Sequence, residues 1–372
     1  MKNTLDLPMT TKPSEQRKKI LYAASTASHL ERFHQPYLRA LREEFDVFTM
    51  ANGRGVDFSV TFQKSFFSPK NLGAVCSIRK ILKRERFDAV ILNTSLAAFL
   101  IRVAMMGMRN RPRVLNIAHG YLFDLPAKRK KDELMLLCEK LTARYTDEIA
   151  VMNQADLKIA REHRLCSGDV HFIKGMGYTL AADRLERDHA LRAEIASGED
   201  YLLTFVGELS ARKNQSFLIR CAHRLISEGL PIRLMLVGEG GERAHLEEEI
   251  LQRGLEGRVI LTGNREPVLP YLSVTDLYVS ASRIEGLPFN LMEAMACGLP
   301  IVASDCKGQT DLLADLPHCL YPTENEDAFC EAVKRAYEAD LRGVGAVEYP
   351  NLPDYFIDAV FEEDLKIMKG FF

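Results

Sequence analysis

Short apolar runs alternate with longer amphipathic segments along most of the chain. In the first half, the apolar runs predict strands at residues 20–24, 47–51, 89–93, 114–118, 148–152 and 170–173. In the second half, they predict strands at residues 201–206, 233–237, 259–261, 277–281 and 300–303. Helical spacing of apolar positions between the strands predicts helices at residues 29–44, 95–106, 216–228 and 242–253. This rhythm is typical of parallel sheets covered by helices, so each half is predicted to be a doubly wound α/β sheet.

The two halves meet where Gly175-Met176-Gly177 ends the last strand of the first half. The charged segment that follows, residues 180–200, is predicted to be mostly helical, and we place a hinge near residues 176–182. The resulting division is a disordered tail at residues 1–18, an N-terminal domain at residues 19–178 and a C-terminal domain at residues 179–352.

Composition narrows the class of protein. The chain has 372 residues, enough for two domains, and its 47% apolar and 27% charged content is that of a globular protein. A net charge of −2 provides no general attraction to nucleic acid. No run approaches the roughly 18 apolar residues of a membrane span, and the polar N-terminus lacks the apolar region of a secretory signal. We therefore expect a cytoplasmic protein.

The eight cysteines are scattered, and no pair has C-x-x-C spacing. We expect them to be buried thiols in a reducing compartment. Clustered metal ligands at short spacing are also absent from the sequence, so no zinc site is predicted.

Candidate chemistry is concentrated in residues 276–304, DLYVSASRIEGLPFNLMEAMACGLPIVAS. A predicted strand leads through Glu285-Gly286-Leu287-Pro288 into a short helix that Gly298 ends. The helix N-terminus therefore lies at the carboxyl end of a strand, where its free N–H groups suit a phosphate. Glu285 and Glu293 can accept hydrogen bonds from sugar hydroxyls. The segment predicts a nucleotide-sugar site; the alternative is an ordinary crossover with two solvated glutamates.

The E-x7-E pattern in EGLPFNLMEAMACGLPIVAS resembles the signature of family 4 retaining glycosyltransferases. That resemblance implies the GT-B fold, in which two Rossmann-like domains enclose a cleft and a C-terminal helix, here residues 353–372, crosses back onto the N-terminal domain. The sequence alone is equally consistent with packing of this helix on the C-terminal domain. The residues of the motif that the resemblance assigns to donor binding are Glu285, Gly286, Leu287, Asn290, Leu291 and Glu293.

A second motif, residues 206–214, follows the first strand of the second half. Gly207 permits close backbone approach, and the Arg212-Lys213 pair opens a helix, which suits a diphosphate. The segment resembles the family's G-R-L-x-x-x-K element, and this implies a phosphate role for Lys213. Glu208 stands where the family has arginine, and Arg212 is the candidate to supply that contact instead.

Three further positions are candidates. Arg265, after a strand of the same half, lies where the family contacts the nucleobase; it either stacks on the base or is solvated. His119 ends a strand of the first half and resembles the family's histidine near the reacting carbon of the donor sugar. His29 and His34 line the cleft or serve as capping and packing residues.

The combined prediction is a retaining, metal-independent glycosyltransferase with no cofactor, in which His119, Lys213 and Glu285 are catalytic. The absence of any Asp-x-Asp pair favours a metal-free diphosphate site. The expected reaction moves a hexose or N-acetylhexosamine from a UDP-sugar to a polyprenyl-diphosphate-linked saccharide in bacterial surface polysaccharide synthesis. Basic residues 17–19 and 128–131 predict peripheral contact with the inner membrane face. The alternatives are a nucleotide-sugar epimerase of the same fold and a catalytically silent binding module.

Overall fold

The computed structural model describes residues 17–63, 66, 68–126, 129–179, 187–341, 343 and 346–372. Most of the predicted tail, residues 180–182 of the predicted hinge and Lys128 of the basic run lie outside these ranges. The eight cysteines are free thiols, and five of them are buried.

The first half of the chain forms a seven-stranded parallel sheet with the order β3-β2-β1-β4-β5-β6-β7. Its strands are β1 (Lys19–Thr26), β2 (Asp46–Asn52), β3 (Phe58–Ser59), β4 (Ala89–Asn93), β5 (Arg113–Ala118), β6 (Glu148–Val151) and β7 (Val170–Phe172). Its helices are α1 (Ala27–Phe33), α2 (Gln35–Glu44), α3 (Asn71–Glu85), α4 (Ser95–Met105), α5 (Lys130–Thr142) and α6 (Gln154–Glu162), with a 3₁₀ turn at Ala143–Tyr145. The reversal of strand order at β1 makes this a doubly wound sheet, as predicted.

The second half forms a six-stranded parallel sheet with the order β10-β9-β8-β11-β12-β13. Its strands are β8 (Tyr201–Val206), β9 (Ile232–Val237), β10 (Val259–Gly263), β11 (Leu277–Ser280), β12 (Ile301–Ser304) and β13 (Leu320–Tyr321). Its helices are α7 (His189–Ile195), α8 (Gln215–Ser227), α9 (Arg243–Gln252), α10 (Leu269–Ser273), α11 (Phe289–Ala296), α12 (Gln309–Leu312) and α13 (Glu326–Leu341). Two 3₁₀ turns, Pro317–Cys319 and Leu352–Tyr355, precede the last helix, α14 (Ile357–Gly370).

The predicted helix at residues 29–44 is two helices that meet at His34. Pro36 in the first turn of α2 has no N–H and disfavours a helical residue before it, so a continuous helix would be strained at this point. The break turns the buried His34 side chain into the domain. The sequence pattern also missed β3 and β13, because two-residue strands are too short to show a period.

The C-terminal helix crosses back onto the N-terminal domain. The Tyr37 hydroxyl of α2 donates a hydrogen bond to Oδ2 of Asp364 at 3.0 Å, and the rings of Phe45 and Phe372 lie 4.8 Å apart. At the first residue of α14, the backbone N–H of Ile357 donates to the carbonyl of Tyr178, at the end of the first half. The chain therefore has the two-domain, cross-back arrangement that was predicted. Among the described helices, none is long and apolar enough to cross a membrane.

Candidate active site

A cleft of about 620 Å³ lies between the two sheets. Its C-terminal wall is built from loops at the carboxyl ends of β8, β9, β10 and β11, which is where parallel α/β sheets hold ligands. Its N-terminal wall includes Arg32 and Phe33 of α1. The predicted site residues that line this cleft are Gly207, Lys213, Arg265, Glu285, Leu287, Asn290 and Glu293.

Glu285 is the charged centre of the cleft wall. Its Oε1 lies 2.6 Å from Nζ of Lys213, and its Oε2 lies 3.0 Å from Nη1 of Arg212. Burial by itself would raise the pKa of the Glu285 carboxyl, but Lys213 and Arg212 outweigh it and hold that pKa below its ordinary value. The sequence had separated the two roles, with Glu285 on the sugar and Lys213 on the diphosphate. The structure places the two side chains in direct contact, so a bound diphosphate must share the lysine with Glu285.

Glu293 projects from the middle of α11 into the same cleft. Within the described chain, no group donates a hydrogen bond to its carboxylate. Burial raises the pKa of the Glu293 carboxyl, and the positive charge of Arg32 opposes that rise. A half-buried carboxylate without a partner is well suited to accept hydrogen bonds from a polyol.

The N-terminus of α11 faces the cleft as predicted, with Pro288 as its N-cap residue. The N–H groups of Leu291 and Met292 already bond to the carbonyl of Pro288. For the residues described, the N–H groups of Phe289 and Asn290 then remain as the first unpaired donors of the helix. They are the groups that an anion at this end of the helix would meet.

Three predicted donor contacts require correction. Leu291 is fully buried in the core and does not face the cleft, because α11 turns that side of the helix onto the sheet. The guanidinium of Arg212 bonds to Glu285 and lines a different cavity, so in this arrangement it does not reach the main cleft. Gly286 does not line the cleft, but forms a contact between the two domains. Asn290 does line the cleft, yet its Nδ2 also bonds to the Tyr278 hydroxyl at 2.8 Å.

At Gly286 the backbones of the two domains approach each other closely. A Cβ atom at this position would lie 1.8 Å from the carbonyl oxygen of His119, and one at Gly120 would lie 2.5 Å from Cα of Gly286. Real side chains do not tolerate such distances. Glycine at both positions therefore allows the loop after β5 to meet the loop after β11.

His119 lies behind this contact and does not line the main cleft. Its Nε2 is 3.4 Å from Oδ1 of Asn93, and its ring packs edge-on against the rings of His29 and His34. Burial lowers the pKa of His119 well below its ordinary value, and the neighbouring His29 and His34 lower it further. His119 is therefore a neutral imidazole beside the cleft floor.

The sequence did not predict which residues line the N-terminal side of the cleft. The ring of Phe33 lies 4.8 Å from that of Phe289, and Nη2 of Arg32 lies 4.0 Å from Oε1 of Glu266. Tyr178 also faces the cleft. No local motif marks these residues, because only the packing of the two domains brings them to the site.

A buried ion pair that crosses between the domains was also missed. Nζ of Lys307, in the loop after β12, donates to the carbonyl of Phe123 at 2.6 Å and to Oδ1 of Asp156 at 2.7 Å. Asp156 is further held by the backbone N–H of Tyr121 and by Nδ2 of Asn153. Nearby, Nδ2 of Asn153 donates to the carbonyl of Gly286 at 3.1 Å. These bonds join the two domains beside the cleft.

Comparison with known proteins finds similar sequences and similar folds. Residues 200–339 match the family described as glycosyl transferases group 1. The EpsD protein of Bacillus subtilis (strain 168), whose name describes a glycosyltransferase, is 29% identical over 316 residues, which cover 80% of this chain and 81% of EpsD. The Escherichia coli UDP-Gal:α-D-GlcNAc-diphosphoundecaprenol α-1,3-galactosyltransferase is 25% identical over 313 residues, 79% of this chain and 80% of that protein.

The fold is also similar to that of solved structures. The crystal structure of Anabaena HepE in complex with UDP and glucose superposes with a TM-score of 0.72 at 17% identity, over 95% of this chain and all of that chain. The two parallel sheets covered by helices agree with this match. Residues 200–339 are therefore similar to the group 1 glycosyl transferases, and the chain has the GT-B fold.

Proposed function

We propose that the protein is a retaining, metal-independent glycosyltransferase of bacterial surface polysaccharide synthesis. Its donor would be a UDP-linked hexose or N-acetylhexosamine, and its acceptor a polyprenyl-diphosphate-linked saccharide. The observation that carries the proposal is the convergence of Lys213, Glu285, Glu293 and the N-terminus of α11 on one cleft. An ammonium group, two carboxylates and a helix N-terminus are the groups that a ligand with both phosphates and sugar hydroxyls requires.

The donor diphosphate would lie between Lys213 and the unpaired N–H groups of Phe289 and Asn290. Glu293 would accept hydrogen bonds from the ribose hydroxyls, and Glu285 from the hydroxyls of the donor sugar. Arg265 lies within 5.8 Å of the Tyr271 ring at the far end of the cleft, where the resemblance places the nucleobase. This arrangement uses both carboxylates of the E-x7-E pattern for different parts of one ligand.

The chemical step would depend on electrostatic stabilisation of the leaving diphosphate. As the anomeric bond breaks, negative charge grows on the phosphate beside Lys213 and the N-terminus of α11. The acceptor hydroxyl would attack from the face that the diphosphate leaves, and the departing phosphate oxygen would take the hydroxyl proton. The neutral His119 imidazole lies on the N-terminal side of this point but does not line the cleft, so we assign it no direct contact with the donor sugar.

Two comparisons support the choice of ligands. Anabaena HepE has been solved with UDP and with UDP-glucose, and the E. coli relative is named for transfer from UDP-Gal to a diphosphoundecaprenol-linked sugar. A Campylobacter jejuni relative, 30% identical over 149 residues, is also named for a diphospho-undecaprenol acceptor. We extend these ligand classes to this chain as the working hypothesis.

The surface of α5 suits a lipid-linked acceptor. Leu134, Leu137 and Leu141 are 43%, 49% and 60% exposed at helical spacing, although they could have been core residues on sequence alone. Lys130 and Lys131 at the start of the helix are exposed as well. In contrast, Lys19 pairs with Glu85, and Arg17 bonds to backbone carbonyls, so residues 17–19 are engaged by the protein itself.

Binding and turnover test the proposal in sequence. The donor would be identified from a panel of nucleotide sugars by the rise in melting temperature, and a UDP-sugar is expected to give the largest rise. UDP release should then require a lipid-linked saccharide acceptor. Conversion of the UDP-sugar into an epimer without any acceptor would favour the epimerase alternative, and binding without turnover under any condition would favour a silent module.

Vesicle flotation tests the α5 surface. Anionic vesicles should float the protein at low salt, and flotation should weaken as the screening length falls from about 10 Å at 0.1 M to about 3 Å at 1 M salt. Leu137→Ser is expected to reduce flotation, whereas Leu251→Ser, at a still more exposed apolar position on α9, should not. No flotation of the wild type at low salt would contradict the surface assignment and leave the donor site unaffected.

A further inference from the structure

Three histidines that are far apart in the sequence form one cluster on the N-terminal side of the cleft. His29 lies in α1, His34 at the junction of α1 and α2, and His119 directly after β5. Their ring centroids are separated by 4.8, 5.0 and 5.1 Å. One ring nitrogen from each histidine lies within 4.8 Å of those of the other two. The break between α1 and α2 is what brings His34 into the group.

In the described structure, His34 and His119 each use one ring nitrogen in a hydrogen bond. Nδ1 of His34 lies 2.8 Å from the Tyr22 hydroxyl, whereas its Nε2 is buried and has no partner in the described structure. Nε2 of His29 is likewise buried without a partner. His119 uses Nε2 toward Oδ1 of Asn93, which leaves Nδ1 as its second nitrogen. Buried polar atoms almost always have a partner, so two such nitrogens in one cluster require an explanation.

The pattern matches the outer shell of a histidine-ligated metal. A metal-binding imidazole usually donates its second N–H to an oxygen, and this fixes its orientation and directs the other nitrogen at the ion. The Tyr22 oxygen and Asn93 Oδ1 can accept those bonds from His34 and His119. His34 itself is fully buried, so no solvent molecule at the surface satisfies its Nε2.

The protonation states agree with this assignment. Burial lowers the pKa of His29 to about 4 and that of His34 well below its ordinary value. All three imidazoles are therefore neutral at physiological pH and carry lone pairs. Neutral imidazoles have little attraction for a phosphate, but they are preferred ligands of Zn²⁺.

We propose that His29, His34 and His119 bind one Zn²⁺ ion. Three nitrogens 4.8 Å apart would each lie about 2.8 Å from their common centre. Zinc–nitrogen bonds are about 2.0–2.1 Å long. Each nitrogen must therefore move inward by about 0.7 Å, a shift that small rotations of three side chains can supply. The ion would have three protein ligands and a fourth open position.

The proposed ion has a structural consequence. It would tie the first strand–helix connection, which carries α1 and α2, to the end of β5. A ligand that binds only the folded state raises its stability, so Zn²⁺ should raise the melting temperature of the protein. This site is separate from the donor diphosphate site, which we propose to be free of metal.

The test uses the full chain without a histidine tag, stripped of metal by a chelator and dialysed. Zn²⁺ is titrated by calorimetry, and melting temperatures are measured with and without one equivalent of the ion. We expect one Zn²⁺ per chain and a raised melting temperature. His29→Gln should weaken binding at least about tenfold, since loss of an outer-shell partner alone costs about 10–100-fold. His245→Gln, at an exposed histidine of α9, should bind like the wild type.

Co²⁺ provides an independent readout, because tetrahedral coordination by imidazoles gives a characteristic visible absorption. That absorption should appear with the wild type and with His245→Gln, and be lost in His29→Gln. His29 is only partly buried, so its variant is expected to fold, which circular dichroism would establish. The absence of a Zn²⁺-dependent rise in melting temperature, or an equal rise in His29→Gln, would overturn the proposal.

Discussion

Replacing Lys307 by methionine should destabilise the folded protein strongly. Methionine keeps most of the apolar stem of the lysine but removes the ammonium that bonds to Asp156 and to the carbonyl of Phe123. The side chains of Lys307 and Asp156 are 2% and 0% exposed, so solvent cannot replace the lost charge. Breaking a buried ion pair on one side costs about 3–5 kcal/mol, because it leaves an uncompensated charge.

The cost should depend on pH. Burial already raises the pKa of Asp156 while Lys307 opposes that rise, so removal of the lysine must raise this pKa further. When the pKa of a carboxyl is higher in the folded state, the free energy of unfolding falls as pH rises. The fall extends from the pKa of the unfolded state, about 3.9, through the pKa of the folded state. Lys307→Met should therefore lower the free energy of unfolding less at pH 5, where Asp156 can take up a proton, than at pH 8.

Lys174→Met is the matched control. Lys174 pairs with Asp354 at 2.5 Å, also between the first half of the chain and its C-terminal segment, but these side chains are 41% and 55% exposed. Exposed pairs contribute at most about 1 kcal/mol. Urea unfolding of both variants at pH 5 and pH 8 measures the difference. Equal destabilisation by the two substitutions, or a pH-independent effect of Lys307→Met, would refute the reasoning from burial.

The remaining predictions concern the cleft and the last helix. Glu293→Ala should raise KM for the donor by about 10- to 100-fold, which is the effect of losing a charged hydrogen bond. The effect should appear in KM because ribose contacts act in the ground and transition states alike. Normal donor affinity would refute the ribose assignment. Lys213→Ala should lower kcat by about 100-fold, and a change in KM alone would make the residue an anchor. Glu285 loses one of its two partners in this variant and keeps Arg212, so melting temperature must be measured as well. Transfer should persist in excess EDTA, even though the chelator would remove an ion from the histidine cluster, and a complete, magnesium-reversible loss would exclude the metal-free site. Burial raises the pKa of Asp364 to about 7, so the wild type should lose stability as pH rises from about 4 to about 7, and Asp364→Asn, which keeps an acceptor for Tyr37, should not. Parallel melting curves of the two proteins over this range would contradict that interpretation.

Much of the fold could be predicted because its signals are local. The strands at residues 201–206 and 89–93 were predicted with their observed bounds, since buried parallel strands are continuous apolar runs. Glu285, Pro288 and Glu293 were placed correctly because a strand, a loop and a short helix follow one another without interruption.

The errors also have a local cause. Leu291 was assigned to the donor, although helical geometry turns its side chain into the core while Glu293 faces the cleft. Arg212 was considered as a phosphate ligand because it precedes Lys213, but its guanidinium is held by Glu285, 73 positions away. Adjacent residues on a turn point in different directions, and the sequence does not show which one reaches a ligand.

By itself, the sequence determined the two parallel sheets, the glycine-ended helix and the carboxylates of the E-x7-E motif, because each depends on residues within one strand–helix unit. Only the tertiary structure decided the contact of Lys213 with Glu285, the buried pair of Lys307 and Asp156, and the meeting of three histidines. These contacts join side chains separated by 72 and 151 positions in the two ion pairs. Such contacts form only after the sheets have packed on each other, because burial and distance, which set their strength, are properties of that packing and not of any local pattern.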